Sequence, residues 1–199
     1  MPSARRATDP DAEVAPASSA AGTGTGWLLL VYRVPSEPTR LRATVWRRLK
    51  GLGAIYLQNS AAALPAGPAA ERALRKLRRE ILDMQGTAVL LSCAVLAGEA
   101  EVKAAFLAAR DDEYEEIVDR CQDFLAGIEK EYVANHFTYA ELEENEVDLV
   151  KLIRWLATVR GRDVFGAPGR QAAEDAIKRC EKSLEEYANR VFAEEGEGH

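Results

Sequence analysis

The sequence predicts an α+β chain in two parts, a β-α-β-(β)-α-β sandwich followed by an antiparallel three-helix region. Three observations lead there. Over residues 27–98, short apolar runs alternate with segments of helical period. From residue 99 onward the extended runs vanish and apolar residues recur at helical spacing. The charge divides at nearly the same place: residues 27–80 hold eleven Lys/Arg and three Asp/Glu, while residues 81–199 hold thirteen and twenty-six.

Composition excludes several classes. At 199 residues and 47% hydrophobic, the chain is long and apolar enough to bury a core without metals or disulfides. Three cysteines do not make a disulfide framework, and the longest apolar run, over 88–97, is too short to cross a bilayer. Residues 1–26 are rich in Ala, Ser, Thr, Gly, Pro and Asp, with no aromatic residue, and read as a disordered tail. Arg5-Arg6 is followed by Asp9, Asp11 and Glu13 rather than an apolar stretch, so no signal peptide is expected. A cytoplasmic location follows, with reduced cysteines, and residues 196–199 are expected to be a disordered end.

In order, residues 27–34 (WLLLVYRV) form a buried strand between Gly26 and Pro35. A helix over 39–52 follows the Pro35 and Pro38 turn and stops at Gly51 and Gly53. Residues 54–64 are extended, with a turn near Asn59-Ser60. A second helix over 69–85 closes at Gly86, and a last strand covers 87–96. Crossover helices returning to one sheet make this a ferredoxin-like sandwich over 27–98, both helices on the same face.

Helix faces decide where the cations go. Leu41, Val45, Leu49 and Leu52 line one side of the first helix, and Ala70, Leu74, Leu77 and Ile81 one side of the second. Arg40, Arg47, Lys50, Arg72, Arg75, Lys76 and Arg79 point outward and form the candidate nucleic-acid-binding set. A merely solvated charged face is the ordinary alternative. Trp46, on the flank, is expected to pack between elements.

Residues 99–195 read as a helical bundle, with helices over 111–135, 139–160 and 171–192. The last carries Ala173, Ile177, Cys180, Leu184, Tyr187 and Val191 close to a seven-residue rhythm. That rhythm suits an intrachain face, with a homodimer seam as the alternative. Cys93, Cys121 and Cys180 all fall on apolar faces and are expected to be buried. His136 has no partner at a metal-ligand interval, and Glu141, Glu143, Glu144 and Glu146 suit a helix N-terminus. Arg162-Asp163 is expected to be a local ion pair. No nucleophile elbow, P-loop or dinucleotide fingerprint occurs, and no metal or cofactor is expected.

Three segments carry a resemblance: WLLLVYRVPSEPTRLRATVWRRLKGLGAIYLQNS, YAELEENEVDLVKLIRWLATVRGRDVFG and RCEKSLEEYANRV. Together they resemble the N-terminal region of ChrB-type chromate resistance proteins, over residues 27–193. The resemblance implies a link to chromate resistance operons and their regulation in response to chromate. The best-known members also carry a C-terminal domain, and a separate partner supplying such a domain is left as an open alternative. The strand-helix-strand of WLLLVYRVP to GLGAIYLQNS is more distantly similar to the central domain of PaaX-type repressors and to the Cas2 nuclease fold. Cas2-like proteins hold a metal with an Asp at the end of the first strand. Here that position reads Tyr32-Arg33, and a guanidinium cannot ligate a cation. The expectation is therefore a non-enzymatic regulator that binds DNA through its basic helices. The alternatives are an interaction module whose acidic bundle covers those helices, and an oxyanion (chromate) binder using Arg33 with Arg162.

Overall fold

The computed structural model describes residues 25–197. Residues 1–24 of the tail expected at 1–26, and residues 198–199, lie outside the described residues. The elements run β1 (Trp27–Arg33), α1 (Arg40–Leu52), β2 (Ile55–Gln58), β3 (Ala61–Pro65), α2 (Pro68–Asp83), β4 (Thr87–Cys93), α3 (Glu99–Ala134), α4 (Tyr139–Arg162) and α5 (Arg170–Glu197). Two small corrections concern the ends. Gly26 belongs to the fold, since its carbonyl accepts from the Ala66 N–H at 2.8 Å, and α5 runs on through Glu197.

The sheet order is β2-β3-β1-β4 with every neighbouring pair antiparallel, which is the ferredoxin-like arrangement. A two-residue turn at Asn59-Ser60 joins β2 to β3, with Ser60 at a φ of 66°. Successive side chains of a strand face opposite ways. Leu28 and Leu30 of β1 face α1 and α2, in one core with Val45, Leu49, Leu74, Leu77 and Ile81. Both helices therefore cover one face of the sheet. On the opposite face the two ends of β1 differ. Trp27 is buried there, while Val31, Val89 and Leu91 are exposed.

The bundle reaches the sandwich through α3, which starts twelve residues earlier than the expected 111. Its first third carries Val102, Phe106 and Ala109 into the sandwich core. Trp27, Phe106 and Phe165 form a ring cluster, the last two edge-to-face at 5.4 Å between centroids. Further along, Tyr114, Ile117, Cys121, Phe124 and Ile128 turn to a second core shared with α4 and α5. The stripe thus serves two partners in succession, which hides the early turns from a single-face periodicity test. In α5 all six rhythmic residues, Ala173 to Val191, are buried in this second core, so the rhythm marks an intrachain face. In α4, Ile153 is not part of the stripe and stays exposed.

Thr138 caps α4, its hydroxyl accepting from the Glu141 N–H at 3.3 Å. Two expectations fail in the bundle and sheet. Cys93 is exposed, because it closes β4 at the sheet edge, whereas Cys121 and Cys180 are buried between α3 and α5. Arg162 and Asp163 do not pair with each other. The Asp163 carboxylate accepts from the N–H groups of Gly166 and Ala167 and from the Tyr114 hydroxyl, tying the α4–α5 connection to α3.

Arg162 instead joins a buried ionic cluster at the end of α1. Arg110, 3% exposed, donates to the Gly53 carbonyl at 2.8 Å. Its Nε lies 2.8 Å from Glu113 but off line for a hydrogen bond, so the two form a contact ion pair. The other Glu113 oxygen takes Arg162 at 3.0 Å, and Arg162 also donates to the carbonyls of Lys50 and Gly51. Burial and the neighbouring Arg162 lower the Arg110 pKa, and Glu113 opposes that shift. Gly53 sits at a φ of 76°, and a Cβ there would lie 2.6 Å from the Arg110 guanidinium. Only glycine suits both conditions.

Removing Glu113 leaves two cations facing each other with little water. Glu113→Ala is expected to cost about 3 kcal/mol or more in urea unfolding. Arg75→Ala breaks only an exposed pair with Glu71 and should cost less than about 1 kcal/mol.

A second expectation concerns alkaline pH. Burial, with the Cys121 thiol beside it, pushes the Cys180 thiol up from 9.0 to about 12. Burial and the Asp163 carboxylate push Tyr114 from 10.0 to about 12. Both groups hold their protons more tightly when folded. Their contribution is complete below pH 9 and declines as the unfolded chain deprotonates first, until about pH 12. Urea midpoints measured from pH 8 upward should fall above pH 9, and Cys180→Ala should soften the first part of that fall.

Candidate nucleic-acid interface

α1 and α2 lie in one layer on the sheet, so their outer faces form one surface. Arg40, Arg47, Lys50, Arg72, Arg75, Lys76 and Arg79 are all exposed on it. Helix geometry explains the placement. Val45 and Leu49 fix the inner side of α1, and Leu74, Leu77 and Ile81 that of α2. Two ion pairs among the described residues involve α2's own carboxylates. Arg75 donates twice to Glu71, at 2.9 and 2.7 Å, and Arg48 lies 3.7 Å from Glu80, linking the two helices. Arg47 Nε donates to the Ala43 carbonyl at 3.3 Å. Arg78 Nε donates to the Ala88 carbonyl at 3.2 Å, which ties α2 to β4.

The acidic bundle does not cover this layer. Its contacts with α1 are made at the helix C-terminus, by Arg110 and Arg162 on backbone carbonyls. Those contacts add donors to carbonyls at the helix end and place cations at the negative end of its dipole. The bundle carboxylate at the junction, Glu113, is occupied by the bundle's own two arginines.

Arg33 and Arg162 are not brought together. Arg33 ends β1 beside the start of α1, whereas Arg162 lies at the far end of α1, on Lys50 and Gly51. Arg33 lines two adjoining cavities. One, of about 580 Å³, is formed with the 34–37 loop, Gln85, Gly86 and Thr87. The other, of about 570 Å³, adds Tyr32, Val34, Arg42, Trp46, Tyr56, Asn59 and Ser60.

Trp46 does not pack between elements. It is 50% exposed, with the Lys50 ammonium 5.5 Å from its ring centre. Tyr56 is held by a 3.1 Å contact with the Tyr32 hydroxyl. Burial and that contact raise its pKa above the ordinary phenol value. Arg42, like Trp46 and Tyr56, was not in the expected set. Its signal was the four-residue spacing of Arg42, Trp46 and Lys50 along α1. Among the described residues no group of three or more His, Cys, Asp or Glu is placed to hold a metal ion. No helix among them is long and apolar enough to cross a membrane.

The family model described as "Protein ChrB, N-terminal" matches residues 42–198, from the first turn of α1 almost to the chain end. Protein ChrB of Cupriavidus metallidurans is 33% identical over 92 residues, which is 46% of this chain and 28% of that protein. The aligned region thus spans less than a third of that relative's length. With the family model covering most of the chain, the chain belongs to the ChrB N-terminal family.

Proposed function

We propose that the chain is a chromate-resistance regulator that binds DNA through the outer faces of α1 and α2, in the cytoplasm and without catalysis. The family supports the link to chromate resistance. The observation that carries the DNA-binding part is the exposed cationic layer, which the chain's own acidic bundle leaves uncovered. Cations arrayed on two adjacent helices suit the phosphates of a duplex, which position a protein without reading sequence. The open cluster also weighs against an interaction module whose carboxylates neutralise the basic helices. A chromate site built from Arg33 and Arg162 has no support in their placement.

Duplex DNA titrated at several salt concentrations tests the proposal. Affinity should fall with salt, with a log-log slope of about -0.9 per phosphate contact. Arg72→Glu combined with Lys76→Glu should weaken binding across sequences and reduce that slope by roughly 1 for each cation that touched phosphate. A folded chain that shows no binding at low salt overturns the proposal.

A further inference from the structure

The cavity between α1 and the β2–β3 turn has a composition that packing does not explain. It holds about 570 Å³, within the range of small-ligand sites at about 300–1,000 Å³. Among the described residues its lining includes two arginines, Arg33 and Arg42, and no Asp or Glu. An anion is the matching ligand. The wall also presents aromatic surface: Trp46 is half exposed and Tyr56 is 39% exposed, its hydroxyl fixed by Tyr32. Asn59 and Ser60, at the turn, add polar groups at the rim. A tetrahedral oxyanion would use the arginines but leave the indole and most of the volume empty. A planar ring carrying a phosphate uses all of them.

We infer that this cavity takes one unpaired nucleotide, its base against Trp46 and its phosphate on Arg42 and Arg33. The inference rests on the reading of α1 and α2 as a nucleic-acid surface, because Arg42, Trp46 and Lys50 run at four-residue steps from the cavity along α1. The faces of a base are open to an indole only where the base is unstacked, so the site selects single strands, loops or frayed ends over intact duplex. A free mononucleotide offers the same chemistry, and the experiment separates the two sources.

The full chain is titrated with a short oligothymidylate, with the duplex of that strand and its complement, and with thymidine 5′-monophosphate, following tryptophan emission. The expected result is quenching by the single strand, tighter binding of that strand than of the duplex, and loss of both effects in Trp46→Ala. The loss of affinity should be about 5- to 150-fold, the range of one base–aromatic stack. Arg42→Glu, which leaves the indole in place, should weaken the strand as well. Both positions are exposed, and circular dichroism verifies that the variants are folded. Quenching by the monophosphate but not the strand also supports the cavity and assigns it a free nucleotide. If the duplex binds and Trp46→Ala changes nothing with any probe, the cavity assignment is overturned while the basic-face reading stands. If the duplex fails to bind but the monophosphate quenches Trp46, the basic-face reading falls and the cavity stands.

Discussion

A single carboxylate organises the junction of the two halves. Glu113 lies between Arg110 and Arg162, and each arginine carries a backbone carbonyl of the α1 C-terminus on its other side. Two guanidinium groups this far from water would repel each other without it. With it, they become the caps of a helix belonging to the other half. The docking is therefore end-on. A carboxylate-rich bundle meets a cation-rich helix at its carbonyls and not along its side chains, which is why the outer face of α1 stays open.

That geometry gives the uneven charge of the sequence a physical sense. Exposed ion pairs between the halves would have contributed little to stability and would have masked the basic layer. The chain instead joins its halves with a ring cluster, Trp27 with Phe106 and Phe165, and with arginines borrowed from the acidic side. Apolar contact supplies the attraction, and the buried ions set the register.

The sandwich was largely legible in the sequence because its signals are local. Gly53, Gly86 and the Asn59-Ser60 turn punctuate it, and the 2.0 and 3.6 periods are clean between them. The outward set of seven cations follows directly from the apolar stripes that oppose it. What the sequence concealed depends on contacts between distant residues. The first turns of α3 serve a different core from the rest of that helix. Trp46 reads as a packing residue by its size alone, and only the turn at Asn59-Ser60, which lines the same cavity, shows what it borders. Arg162 was legible as a cation near Asp163, but its true partner, Glu113, lies 49 residues away. Cys93 shares the apolar composition of its strand and is exposed because β4 is an edge.

α3 is one unbroken rod of 36 residues, about 54 Å long, that belongs to both cores. A tilt of about 5° at its sandwich end would sweep the far end through roughly 5 Å over that length. The relation also works in reverse. Whatever seizes the remote tip, around Tyr132 and Phe137, holds the long arm of a lever whose short arm is Arg110 on the carbonyl of Gly53.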